Sequence, residues 1–81
     1  MTLGEYRVGI TFNPSNNPQV DNIKRAAANL IDYINELDLP TAGGEVRRLQ
    51  ALAMTDVEAA AMWAVKAATK PYFPLEEKEM P

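Results

Sequence analysis

Along residues 18–38, Val20, Ile23, Ala27, Leu30, Ile34 and Leu37 recur at alternating spacings of three and four, with Ile31 widening the stripe. That period belongs to an α-helix with one apolar face, which must pack against another element. Its start is marked by Asn16 or Asn17 as a cap, Pro18 in the first turn and Asp21 at the positive end of the dipole. Its end is expected at Asp38-Leu39-Pro40, because proline disfavours helix in the residue before it and Gly43-Gly44 lower the propensity further.

A second stripe runs through residues 45–70: Val46, Leu49, Leu52 or Ala53, Val57, Ala60 or Ala61, Ala64 and Ala68. Its alanines permit close approach between helices. Thr55-Asp56-Val57-Glu58 fits a capping box, so the segment divides there or bends near Met54, and the absence of Gly and Pro favours one kinked helix. The connection from Leu39 to Gly44 is short enough to make the two helices antiparallel neighbours.

The flanks are weaker. Tyr6, Val8 and Ile10 alternate only faintly, and a lone strand has no partner, so residues 1–10 are expected to form an arm. Residues 11–17, rich in Asn and Pro, form a loop that completes the arm-and-loop segment 1–17. Pro71 stops the second helix, and residues 71–81 are expected to be a mobile tail. The pattern as a whole predicts one all-α domain, an antiparallel helical hairpin with a short N-terminal arm.

Composition narrows the chemistry. Eighty-one residues bury a limited core, and without Cys or His the chain lacks disulfides and the usual nitrogen and sulfur ligands of zinc. Self-association is the remaining route to stability, so a symmetric homo-oligomer is expected. No apolar run is long enough to span a bilayer, and the N-terminus lacks the pattern of a signal peptide, which suggests an intracellular protein. The net charge of −3 opposes duplex nucleic acid as a partner. Basic residues nevertheless cluster at Lys24-Arg25, Arg47-Arg48 and Lys66 with Lys70, where a compact anion could be held.

Catalysis finds little material. With Ser15 the only serine and no His or Cys, the familiar nucleophile and base pairs cannot assemble within one chain, and no enzyme activity or cofactor is expected. Asp32 and Glu36 share a helix face but read more simply as a solvated flank than as Mg²⁺ ligands. Phe12 lies before the Asn13-Pro14-Ser15 turn, outside the periodic stripe. It either folds back over apolar surface or offers a plate on which a base stacks. Lys24 and Arg25 read as a solvated face unless they converge with Phe12. Lys66 and Lys70 suit the negative end of a helix dipole, and as an anion site they would need groups from another chain. Trp63 and Met62 read as core or oligomer interface.

IKRAAANLIDYINEL in the first helix and TDVEAAAMWAVKAATK in the second resemble the helical-hairpin domain of phage proteins that sequester cyclic-nucleotide immune signals, the anti-CBASS and anti-Thoeris sponges. The resemblance spans residues 12–70 and is strongest in the E-A-x-x-M-W-A-x-x-A-A pattern of residues 58–68. It implies an arm and two antiparallel helices in a symmetric oligomer, often a hexamer. It also implies uncatalysed sequestration of cyclic di- or trinucleotides or cyclic ADP-ribose isomers in the cytoplasm of the infected host. The resemblance assigns base stacking to Phe12, phosphate contact to Lys24 with Arg25 beside it, and a separate cyclic-trinucleotide contact to Lys70. Asn13 joins them as a partner for a base edge or ribose. Two other classes stay open: a helical adaptor that binds a protein through its hairpin face or Tyr72-Phe73, and a weak DNA-binding accessory protein.

Overall fold

The computed structural model describes residues 1–39 and 43–73. Three helices occur among them, α1 (Leu3–Val8), α2 (Pro18–Asn35) and α3 (Gly44–Thr69), with no strand among the described residues. α2 and α3 form the expected hairpin, and α1 lies mainly along α2. The part of the expected tail from residue 74 on lies outside the described residues.

The N-terminal arm is a correction. Thr2 and Glu5 build a complete capping box, in which the Thr2 side chain accepts from the Glu5 N–H at 3.1 Å and the Glu5 carboxylate accepts from the Thr2 N–H at 2.8 Å. Gly9 closes the helix at φ 65°, in the left-handed region that glycine enters without a Cβ penalty. Six residues are too few to show a helical period, so the caps and the surface of α2 decide the conformation. Gly4 is what allows α1 to lie so close. A Cβ there would sit 2.1 Å from the Ala28 carbonyl oxygen, and the Gly4 N–H donates to Asp32 Oδ1 at 2.7 Å.

α2 starts as the sequence indicates, with Pro18 in its first turn and the Asn17 side chain accepting from the Gln19 N–H at 2.8 Å. It ends at Asn35, three residues before the expected 38. Gln50 of α3 explains the early stop, since its amide donates to the terminal carbonyls of Ile34 at 2.9 Å and Asn35 at 3.3 Å. The Ile34 carbonyl also accepts from the Leu37 N–H at 3.3 Å, so the neighbour's side chain adds to the bonding of carbonyls at a helix end that are otherwise poorly paired.

α3 runs without interruption from Gly44 to Thr69. The T-x-x-E at residues 55–58 therefore caps nothing. Thr55 and Glu58, one turn apart on the same face, instead take hold of Arg7: its Nε donates to Glu58 Oε1 at 2.7 Å and its Nη2 to Thr55 Oγ1 at 3.3 Å.

The core is thin: Val20, Ala27, Ala28 and Ile31 from α2 meet Met54 and Ala61 from α3. Fully burying Val20 and Ile31 contributes about 1.5–3 kcal/mol each. Relative to the expected stripe, the buried face of α2 is turned so that Leu30 and Leu37 are exposed. Lys24, expected on a solvated face, falls in the middle of the buried one at 7% exposure.

Candidate functional site

Lys24 is the centre of the site. Its stem passes between α2 and the loop of residues 9–17, and its ammonium donates to the carbonyl of Gly9 at 2.9 Å and to that of Phe12. Both carbonyls follow the end of α1, where the chain has no helical partners for them. The same ammonium stands 5.4 Å from the centre of the Phe12 ring, within the range of a cation–π attraction. A lysine has three donor hydrogens, so one remains for another acceptor.

The loop is braced from several sides. Asn13 Nδ2 donates to the Asn17 carbonyl at 2.9 Å and to Asp21 Oδ1 at 3.0 Å, while Asn13 Oδ1 accepts from the Ser15 hydroxyl at 2.9 Å. Asn16 takes up φ 52°, which asparagine tolerates better than most residues. Asn17 also reaches α3, donating to the Ala68 carbonyl at 3.3 Å. Polar bonds thus tie the loop to both long helices, while the Phe12 ring remains 70% exposed.

Phe12, Asn13, Ser15, Lys24, Val65 and Thr69 border a cavity of about 250 Å³ floored by Val20. Across Lys24 lies a second cavity of about 240 Å³, bordered by Arg7, Val8, Glu58, Ala61 and Met62. Three of the six residues singled out in the sequence therefore converge, namely Phe12, Asn13 and Lys24. The other three stand elsewhere. Arg25 is exposed and paired with Glu5 at 3.0 Å. Lys66 rests over Trp63, 5.6 Å from its ring centre. Lys70 is the exposed cap of α3, one residue beyond Thr69.

Sequence reasoning missed Arg7, Val65 and Thr69. Arg7 had a signal in the T-x-x-E of α3, whose carboxylate and hydroxyl share a face and need a cation if they cap no helix. Val65 and Thr69 follow from pairing the end of α3 with the start of α2, which an antiparallel hairpin requires.

The other basic clusters are engaged locally. Arg48 binds Glu45 at 2.6 and 3.0 Å, which holds the Glu45 carboxyl below its ordinary pKa, and Arg47 donates to Gln50 at 3.1 Å. Glu5 is also held below the ordinary glutamate range, first by the Thr2 N–H and next by Arg25. No cluster of carboxylates suited to a metal occurs among the described residues, and no described helix is long and apolar enough to cross a membrane.

A capped helical hairpin whose loop presents an aromatic ring beside a lysine ammonium has the make-up of a small binding module. The family model of the Acb2/Tad1 hairpin domain matches residues 5–69, and the chain belongs to this family of anti-CBASS and anti-Thoeris sponges. The match begins inside α1 and ends at the last residue of α3, so it takes in the whole of the hairpin and the loop. Neither a curated protein nor a solved structure matches the chain. Membership points to a cyclic-nucleotide sponge role and to binding rather than catalysis.

Proposed function

We propose that this chain sequesters cyclic oligonucleotide or cyclic ADP-ribose-type immune messengers without cleaving them, in the cytoplasm of an infected bacterial host, and so blocks anti-phage signalling. The observation that carries the reading is the exposed Phe12 ring with the Lys24 ammonium 5.4 Å from its centre, at the edge of a cavity. A base stacks on the ring, and the remaining Lys24 hydrogen meets a phosphate oxygen. Asn13 acts chiefly by holding the loop, because its two amide hydrogens are already bonded to the Asn17 carbonyl and to Asp21 of α2. Arg25 reaches phosphate by exchanging Glu5 for the ligand, and Lys66 and Lys70 serve a separate site completed by a second chain.

Magnitudes favour a site shared between chains. One stacked base contributes about 1–3 kcal/mol and one charge-assisted hydrogen bond about 1.5–3 kcal/mol. Nanomolar sequestration needs about 12 kcal/mol. The cavity is also smaller than the roughly 300–1,000 Å³ usual for sites that enclose a drug-sized ligand. Two copies about a twofold axis would offer two rings and two ammoniums to a ligand with two bases and two phosphates. A symmetric homo-oligomer, with a hexamer as the expected size, supplies such interfaces.

The test is to incubate the purified protein with a panel of cyclic di- and trinucleotides and cyclic ADP-ribose isomers. After removal of unbound ligand, the protein is denatured by heat and what it releases is identified by mass spectrometry. Intact ligand in a fixed ratio to protein is expected, and altered ligand would reopen the question of catalysis. Retention of nothing would favour the second reading, a helical adaptor for a protein partner, which the exposed Met62, Trp63, Tyr72 and Phe73 support.

A further inference from the structure

On the far side of Lys24 from Phe12 stands a second cation, Arg7. Lys24 and Val65 border both the Phe12 cavity and its neighbour, so the two adjoin and form one trough along α3 from Glu58 to Thr69. Phe12 lies toward one end of it and Arg7 toward the other. Arg7 is anchored along a single edge, with its Nε donating to Glu58 Oε1 at 2.7 Å and its Nη2 to Thr55 Oγ1 at 3.3 Å. A guanidinium has five hydrogens, and the other three have no acceptor among the described residues. Two of those three are parallel, one on Nη1 and one on Nη2, and make the fork that matches two oxygens of a phosphate. The Arg7 side chain is 21% exposed, so a ligand can reach it. Glu58 borders the same cavity, and against its one negative charge stand Arg7 and Lys24, which leaves the cavity positive. The walls of Val8, Ala61 and Met62 are apolar, which limits the water that competes for these donors.

We propose that Arg7 is a phosphate-binding residue of this site. A cyclic dinucleotide lies along the trough with one base on Phe12 and the adjoining phosphate across Lys24, held by the Lys24 ammonium and by the Nη1 and Nη2 hydrogens of Arg7. Glu58 and Thr55 hold the opposite edge of the guanidinium, so the fork is set in place before the ligand arrives. The inference rests on the sequestration reading and adds a binding residue, and a second cavity, to the same site.

The probes are cyclic di-AMP and cyclic di-GMP, so that no base is presupposed, each beside its analogue in which both phosphates are neutral methylphosphonates. In calorimetric titration of the full chain, the charged member of whichever pair binds is expected to be held about a hundredfold or more tightly than the neutral one. In Arg7→Gln/Glu58→Gln, which removes one charge of each sign, that ratio should fall about tenfold. If Arg7 only docks α1 or balances Glu58, both members weaken alike and the ratio is unchanged, which would overturn the inference while sequestration stands. Should the variant fail to fold, NMR of the parent decides. The Arg7 guanidinium nitrogens should shift on addition of the charged dinucleotide and not of the neutral one, and a response indifferent to the phosphate charge would overturn the assignment. If neither dinucleotide is bound while another cyclic nucleotide is, the role of Arg7 falls and sequestration stands. If no cyclic nucleotide is bound, both fall.

Discussion

Lys24 was the residue whose sequence context misled most. Between Ile23 and Arg25 it reads as part of a solvated face, yet it occupies a core position and bonds two main-chain carbonyls. Periodicity averages over a stripe and cannot show that one member carries a charge inward, because the acceptors come from a loop with no period of its own. Lys24→Met keeps much of the stem and removes the donors, leaving the Phe12 carbonyl without its partner and the Gly9 carbonyl with the Phe12 N–H alone. A loss of about 1–3 kcal/mol is expected, read as a fall of roughly 4 °C or more in Tm for a domain of this size. Faster hydrogen exchange at the Phe12 and Asn16 amides should accompany it. An unchanged Tm would mean that the loop is held by Asn13 and Asn17 alone. Gly4 makes the complementary point, since a short apolar-polar segment gives no hint that one position touches the backbone of another helix. Gly4→Ala should displace α1 from α2, because the added carbon collides with main chain rather than with a side chain that can turn aside. The separation between α1 and α2 measured by paramagnetic relaxation should increase, and an unaltered separation would locate the contact elsewhere.

At the scale of elements, the sequence shows the hairpin clearly and α1 not at all. Long stripes with Pro at one end are legible because many residues vote together. The T-x-x-E pattern occurs twice, and its two instances illustrate the limit. At residues 2–5 it caps a helix; at residues 55–58, amid strong helix formers, it lies inside one and serves Arg7. Thr and Glu keep the same spacing in both places, while the two residues between them and what precedes them differ. The capping box at the N-terminus also predicts a pH dependence. Glu5 has its folded pKa lowered by the Thr2 N–H and then by Arg25. A lowered acid contributes stability that is fully present above its unfolded value, near about 4.3, and is lost as pH falls through the folded value. The docking of α1 should therefore be constant from neutral pH down to the ordinary glutamate range and weaken below it. Comparing the thermal stability of the parent with that of Glu5→Gln isolates this group, because Glu45, also lowered, is common to both. The difference between the two should be largest at neutral pH and shrink in acid; a difference independent of pH would assign the effect to packing.

For the molecule as a whole, the decisive quantity is how little one chain buries. Among the described residues six hydrophobic ones form the core, while Leu49 is 53% exposed, Leu52 46%, Met62 65% and Trp63 68%. All four lie on α3, a helix of 26 residues with only Met54 and Ala61 buried. A second copy covering these side chains would supply the missing apolar burial and bring two Phe12 loops to one ligand, so stability and affinity should depend together on assembly. The Tm should rise with protein concentration, because an associated state is favoured by mass action, and light scattering should report a mass several times the 9.0 kDa of one chain. Trp63→Glu places a charge where a partner would need an apolar surface. It should lower the mass toward that of one chain while α3 stays helical, since the side chain is exposed and supports little within its own chain. The affinity for a cyclic dinucleotide should then fall by two orders of magnitude or more, although Phe12 and Lys24 remain in place. A variant that dissociates yet binds as tightly as the parent would confine the whole site to one chain. A parent that is already monomeric at micromolar concentration would leave α3 with an apolar face suited to a different protein, and would direct attention from the Phe12 loop to that face.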